Sequence, residues 1–265
     1  MSNLLLRKLQ RYVRLSEADC IWLAEAFGPA RAVAARTDII HEGDDPRAVN
    51  VIVDGWACRY RQFADGRRQI VALLLPGDPC DPHVFHLDEM DHTVGAITPV
   101  ILGQISGAAL QAMTARSPQL DLAFHREALA TAAVQREWTI SLGSRTGIER
   151  LAHLFCELHA RLEAVGLAEA NTCPMPITQN DLGDAMGQTS VHVNRTLQEL
   201  RGMGLITLRS RRLTIHDPVA LARLAHFDPT YLHFVAPADR TVPWRREPPT
   251  HDDLAEISNS RGGPA

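Results

Sequence analysis

Leu5, Leu6, Leu9 and Val13 recur at helical spacing, which predicts helix within residues 5–28. Ser16 is placed to cap a second short helix there, because Asp19 then falls in its first turn, where an acid suits the exposed amides. From Thr37 the period shortens. Short runs rich in valine, isoleucine, leucine and aromatics are punctuated by Gly43, Gly55, Gly66 and Gly77, at intervals of 12, 11 and 11 residues. Turn signals at that spacing predict an all-β sandwich or barrel. Asp65-Gly66, between the runs 60–63 and 70–75, predicts a two-residue hairpin turn with both residues at positive φ. A last strand pair, 92–97 and 100–105, is broken at Pro99. Helical patterns flank this region without alternating with it, which argues against a parallel α/β sheet.

The helical period returns after Ser106. Leu122, Leu129, Ala133 and Ile140 form a ladder of seven- and four-residue steps, predicting a long helix over 118–142. Its alanines would let a second helix approach closely. The pattern alone fits equally a helix packed on its own β-domain and a dimer seam. Gly143-Ser144 interrupts the run and starts a new helix, in which Ile148, Leu151, Leu154, Phe155, Leu158 and Leu162 form a wide apolar stripe. Gly166 ends it. The stretch from Ala236 is rich in proline, charge and small polar residues, a composition expected to be disordered.

The segment 177–206 carries the functional signal. Thr178 can cap a short helix with Leu182, Ala185 and Met186 inward. Gly187 falls where a tight turn needs a left-handed residue, and Thr189 caps a second helix with Val193, Leu197 and Leu200 inward. Two short helices joined through glycine make a helix-turn-helix, whose second helix can enter a DNA major groove. The residues assigned outward at its start are Ser190, Val191, His192, Asn194 and Arg195. Arginine can pair bidentately with guanine and asparagine with adenine. Two strands follow around an arginine-rich turn with Arg209, Arg211 and Arg212, a wing suited to phosphate. The candidate DNA contacts are therefore Thr189, Ser190, His192, Asn194, Arg195, Arg209, Arg211 and Arg212. An ordinary helical hairpin with a solvated basic face is the plainer alternative, but cap, turn glycine, outward Asn and Arg, and basic wing all agree against it.

Charge sharpens this. The 265-residue chain carries a net −4, which by itself suggests no nucleic acid. Residues 188–223, however, hold six arginines against Glu199 and Asp217, a local excess of four positive charges. Lys8 is the one lysine among 27 basic residues, and at this level it reads as compositional bias. Cys20, Cys58, Cys80, Cys156 and Cys173 lie far apart, a spacing that fits neither a zinc site nor a disulfide framework. There is no signal-peptide pattern and no run near the ~20 apolar residues of a membrane span, so a cytoplasmic protein with no membrane partner is expected.

Taken together, 144–225 resembles the DNA-binding domain of the Crp/Fnr family of bacterial regulators. The glycine-punctuated segment before it resembles that family's cyclic-nucleotide-binding-type β-roll, and the resemblance covers about 15–235. It implies an α+β fold: an N-terminal antiparallel, jelly-roll-like β-roll sensor (1–116), a long dimerisation helix (117–143), a C-terminal winged helix-turn-helix (144–235) and a tail (236–265). It also implies a homodimer on near-palindromic double-stranded DNA, with RNA polymerase as a partner, and it tips the long helix towards a dimer seam.

Two departures from the family matter. Its best-known members carry a glutamate where Val191 stands; valine cannot accept from cytosine N4 but can meet a thymine methyl. Arg195 matches a base-reading arginine of the family. Cyclic-AMP binders follow the Pro-Gly-Asp turn with a Gly-Glu pair, and later an arginine that holds the phosphate. Here the stretch from Cys80 to Thr93 has no arginine and carries Asp81, Asp88, Glu89 and Asp91, so cyclic AMP is not expected. Cys20 alone cannot supply the cysteine cluster of the family's oxygen sensors. Cys80, His83, His86 and His92 are metal-ligand types, but their spacing matches no established signature, and the block reads as a polar loop with no metal assigned. No cofactor is identified. A sensor module acting on another protein without DNA, and an enzyme, remain rival classes. The basic wing argues against the first, and the lack of a phosphate loop, a nucleophile elbow or an H-E-x-x-H argues against the second.

Overall fold

The computed structural model describes residues 3–234. Two helices open it, α1 (Asn3–Leu9) and α2 (Glu17–Glu25). Ser16 starts α2 with a capping box: its Oγ accepts from the Asp19 amide at 3.2 Å, and the Asp19 carboxylate accepts from the Ser16 amide at 2.8 Å.

Eight strands follow: β1 (Arg31–Val33), β2 (Asp38–Ile40), β3 (Ala48–Asp54), β4 (Ala57–Gln62), β5 (Arg68–Leu74), β6 (Pro79–Cys80), β7 (Thr93–Ala96) and β8 (Val100–Ser106). They form two antiparallel sheets, ordered β1-β8-β3-β6 and β2-β7-β4-β5. Ile52 and Leu102 from the first sheet pack with Leu74 and Val94 from the second. The glycine spacing acquires a physical meaning here. The turns at Gly43, Gly55 and Gly77 each carry the chain from one sheet to the other, and only Gly66 closes a hairpin within a sheet. The turn at Pro99 also switches sheets, so the last two strands do not pair with each other as a hairpin would.

The hairpin departs from the two-residue expectation. The Phe63 amide donates to the Arg67 carbonyl at 2.8 Å and the Gly66 amide to the Phe63 carbonyl at 2.9 Å, giving a three-residue loop over 64–66. Within that loop only Gly66 is at positive φ, +85°. Asp65 instead accepts from the Arg67 amide and guanidinium, at 3.1 and 2.8 Å.

Helices α3 (Gly107–Arg116), α4 (Pro118–Ser144) and α5 (Gly147–Ala164) come next. Ser117 caps α4, with Pro118 at its first position. Gly143-Ser144 does not interrupt it, since one glycine costs a helix only about 1 kcal/mol. The break falls at Arg145-Thr146, where Thr146 and Glu149 form the capping box of α5. Along α4, Ala123, Phe124, Ala133, Val134 and Trp138 are buried against the chain's own domains. Leu122, Leu129 and Ile140 of the ladder are exposed at 39, 63 and 49%, so the ladder divides, with Ala133 on the inner face.

The C-terminal part contains β9 (Thr172–Pro174), α6 (Gln179–Met186), α7 (Ser190–Gly202), β10 (Ile206–Arg209), β11 (Arg212–Ile215) and α8 (Pro218–Ala225). Its sheet has three strands, ordered β10-β11-β9, rather than the two expected. A three-residue strand ending in proline is too short to show a period. Leu151, Phe155, Leu182, Val193, Leu197 and Leu221 share one core. No helix among the described residues is long and apolar enough to cross a membrane. The tail 236–265 lies outside the described residues.

Candidate nucleic-acid interface

Thr178 and Asp181 begin α6 with a second capping box: Thr178 Oγ1 accepts from the Asp181 amide at 3.2 Å, and Asp181 Oδ2 accepts from the Thr178 amide at 3.0 Å. Gly187 then turns the chain at φ +64°, where a side chain would be strained. Thr189 caps α7, its Oγ1 accepting from the His192 amide at 3.2 Å. Leu182, Ala185 and Met186 of α6 and Val193, Leu197 and Leu200 of α7 are buried, so the apolar assignments define the packed face of the motif.

The opposite face of α7 presents Val191, Asn194, Arg195 and Gln198, all exposed, at the one-turn spacing a groove-reading helix needs. Val191 is 78% exposed. Gln198 is not among the candidates read from sequence, although it lies four positions beyond Asn194 on the same face. Asn194 Nδ2 donates to Gln179 Oε1 at 3.2 Å, which brings the start of α6 to this surface. Ser190 and His192 do not stand fully outward: both are half-buried. The His192 imidazole lies over Gly147, so closely that a Cβ there would meet its Nε2 at 3.0 Å. Thr189 is exposed, with its hydroxyl committed to the cap.

The wing is β10 and β11, with Arg209 opposite Arg212 and a two-residue turn of Ser210 and Arg211 at φ +52° and +58°. Both turn residues are left-handed without being glycine. The Arg211 carbonyl accepts from the Met175 amide at 2.8 Å, which fixes the tip against the segment before α6. Arg209, Arg211 and Arg212 are exposed, and Arg212 faces Glu169 at 3.9 Å.

Three arginines that the sequence does not single out orient this surface. Arg150 donates to the carbonyls of Ser141, Leu142, Arg145 and Met186 at 2.6–3.0 Å, clamping the end of α4 and the end of α6 onto α5. Arg36, between β1 and β2, binds Asp181 through both carboxylate oxygens at 2.6 and 2.8 Å. Arg68 of β5 adds bonds to Asp181 and Asp184 at 2.8 and 2.9 Å. Burial disfavours the Asp181 carboxylate, yet the Arg36 and Thr178 hydrogen bonds outweigh it and hold the group well below the usual carboxylate range.

In the sensor region, Asp81 does not stand as a free repelling charge. Its carboxylate is held by Arg59 at 2.8 and 3.1 Å and by His92 Nε2 at 3.1 Å. Burial opposes both charged forms, but the pairing lowers the Asp81 pKa and raises that of His92. Arg59 comes from β4, outside the stretch from Cys80 to Thr93 that lacks an arginine of its own. His83 stacks on His86 with ring centres 6.4 Å apart and lies tilted against His125 at 5.2 Å. Cys80 is buried in β6. Among the described residues no group of three His, Cys, Asp or Glu could hold a metal ion.

A capped pair of helices with an exposed outer face, a basic wing and a preceding β-roll define a winged helix-turn-helix DNA-binding protein joined to a β-roll domain. Residues 149–224 match the Crp-like helix-turn-helix domain and residues 30–117 the cyclic nucleotide-binding domain. The nitrogen fixation regulation protein FixK of Azorhizobium caulinodans is 32% identical over 204 residues, 75% of this chain and 80% of that protein. The transcriptional activator protein FnrL of Cereibacter sphaeroides is 29% identical over 188 residues, 70% of this chain and 75% of that protein. The structure of FixK2 from Bradyrhizobium japonicum shares the fold, with a TM-score of 0.65 at 24% identity over 74% of this chain and 96% of that one. The chain belongs to the Crp/Fnr family of DNA-binding transcription regulators.

Proposed function

We propose that the chain binds a near-palindromic operator in double-stranded DNA as a homodimer, reading each half-site with α7 and gripping phosphate with the wing. The single observation that carries the reading is the face of Val191, Asn194, Arg195 and Gln198, left exposed while every apolar position opposite is buried. Arg195 is assigned to guanine, Asn194 to adenine and Val191 to a thymine methyl. Thr189, Ser190 and His192 support the start of the helix beside the backbone. Arg209, Arg211 and Arg212 contact phosphate and carry no sequence information.

The dimer seam is the outer face of α4. Leu122, Leu129 and Ile140 lie on that face with Ala132 between them, and covering such a stripe contributes about 25 cal/mol per Å². The domain limit at 116/117 follows the same division of labour, and the limit expected at 143/144 moves to the helix break at Arg145-Thr146. The chain acts in the cytoplasm, with RNA polymerase as a partner, and carries no catalytic step of its own.

The β-roll does not take cyclic AMP. The cavity beside Arg59 and Asp78 measures about 30 Å³, whereas small-molecule pockets run to roughly 300–1,000 Å³. Arg59 is already committed to Asp81. Selection of bound sequences from a random DNA pool tests the reading: a two-fold symmetric motif is expected, and recovery of no motif, with no salt-dependent DNA binding, would overturn it.

A further inference from the structure

The only lysine in the chain is buried. Lys8 Nζ donates to Asp78 Oδ1 at 2.5 Å and to Glu127 Oε1 at 2.6 Å. Asp78 ends the Pro76-Gly77-Asp78 turn of the β-roll and Glu127 lies on the inner face of α4. The second oxygen of Asp78 accepts from Arg161 of α5 at 2.7 Å and from the Leu75 amide at 2.8 Å. Arg161 goes on to the Leu73 carbonyl at 2.9 Å and Glu157 at 3.1 Å. A continuous buried chain of charges therefore runs from the N-terminal helix through the sensor to the first helix of the DNA-binding domain.

Arginine serves nearly every other cationic role in this protein, so the exception has a physical reason. One small ammonium bonds two carboxylates from different elements at once, which a planar guanidinium fork is poorly shaped to do. Helix α1 is held close enough to deliver it. A Cβ at Gly77 would meet the Leu4 carbonyl at 3.0 Å, and Leu5 and Leu9 are fully buried on either side of Lys8. Neighbouring Arg7 donates to the Val165 carbonyl, just past the end of α5, at 3.2 Å. Burial alone would drive a proton off Lys8, but the two carboxylates keep it charged, with its pKa above the ordinary lysine value.

We propose that Asp78 and Glu127 form an ammonium-binding site which the chain fills with its own Lys8, and that this tethered occupant holds Asp78 on Arg161 and so fixes α5 against the sensor. The site thereby performs inside one chain the domain coupling that a diffusible ligand performs elsewhere. Its ligand class is a primary alkylammonium. Each carboxylate takes one N–H of the Lys8 ammonium, and a quaternary ammonium has no N–H to give. The consequence for DNA rests on the function proposed above, while the site itself does not.

Chemical rescue of Lys8→Ala tests this, with n-propylammonium as the probe because it replaces the atoms removed. In the full chain, Lys8→Ala is expected to lower the melting temperature by about 5 °C or more, to speed hydrogen exchange in the 147–164 helix, and to weaken operator binding about tenfold or more. Propylammonium at tens of millimolar restores all three, and tetramethylammonium at the same ionic strength restores none. Unchanged melting and exchange in Lys8→Ala, or equal restoration by both amines, overturns the proposal. If Lys8→Ala does not fold, Lys8→Met with Glu127→Gln removes the pair without stranding Glu127. Faster exchange in 147–164 then supports the site, and wild-type exchange overturns it. Should the wild-type chain itself bind no DNA, the functional reading fails, and melting and exchange still decide the ammonium site.

Discussion

Arg36 and Asp181, 145 residues apart, meet in a two-bonded fork at 2.6 and 2.8 Å that pins the first helix of the helix-turn-helix to the β-roll. The same carboxylate accepts from the Thr178 amide and hydroxyl, so it also starts that helix. A side chain with both tasks couples local helix formation to domain docking. Arg68 reinforces it at 2.8 Å and stacks its guanidinium over Tyr60, 5.4 Å from the ring centre.

Asp181→Asn should therefore destabilise the chain by about 2 kcal/mol. Arg36 is about half exposed, and water screens its share of the attraction, which keeps the loss below the ~3–5 kcal/mol of a wholly buried broken pair. The pH dependence has a definite sign. A folded-state pKa held below the ordinary carboxylate value gives stability that is fully present above about pH 4 and lost as pH falls through that value towards the depressed one. Melting temperatures recorded between pH 7 and pH 3 should fall less steeply for Asp181→Asn than for the wild type, and parallel curves would remove Asp181 from this role.

These features differ in how far they can be read from sequence, and the difference is one of range. Thr178, Gly187 and Thr189 act on backbone within three residues, so cap and turn chemistry announces them. The packed face of α7 follows from a 3.6-residue period. Arg36 and Asp181 show nothing until the β-roll and α6 are brought together, and Arg59 is invisible as the partner of Asp81 for the same reason. Lys8 resembles compositional bias in the sequence because its two carboxylates lie 70 and 119 residues away. His192 departs from its outward assignment for another reason: helical periodicity gives the direction of a side chain but not the neighbour, here α5 at Gly147, that covers it.

Leu129→Glu should leave the chain monomeric where the wild type forms the proposed homodimer. Leu129 is 63% exposed within one chain, so a charge there disturbs the monomer fold by no more than about 0.5 kcal/mol. Across an apolar seam the same charge would be buried without a partner. Sedimentation at micromolar concentration should show wild-type dimer and Leu129→Glu monomer with matching circular dichroism. A variant that stays dimeric would move the seam away from α4.

Calorimetric titration with cyclic AMP should give no measurable heat of binding. Arg59 would have to release Asp81, and the small cavity beside it would have to open against the buried charges of Lys8, Asp78 and Arg161. A micromolar dissociation constant would show that the β-roll rearranges in a way this packing does not allow.

The reading helix and the wing should separate by specificity rather than by affinity. Arg195→Ala should cost about 1–3 kcal/mol per half-site and relax the choice of base at one position, because a bidentate contact to guanine is the interaction removed. Arg211→Ala should weaken binding to all sequences alike and lower the salt slope by roughly 0.9 for each phosphate that is no longer neutralised. Arg212→Ala should act in the same direction but less strongly, since Arg212 already leans towards Glu169 at 3.9 Å. Asn194 adds a contrast within the helix: it must leave Gln179 to meet a base, so part of its gain offsets a hydrogen bond already made at 3.2 Å. Asn194→Ala should accordingly cost less than Arg195→Ala at equal folding, checked by circular dichroism. Competition binding against single-base operator variants measures all four. An Arg195→Ala protein that keeps the full wild-type sequence preference would mean that α7 does not enter the groove by the face it exposes.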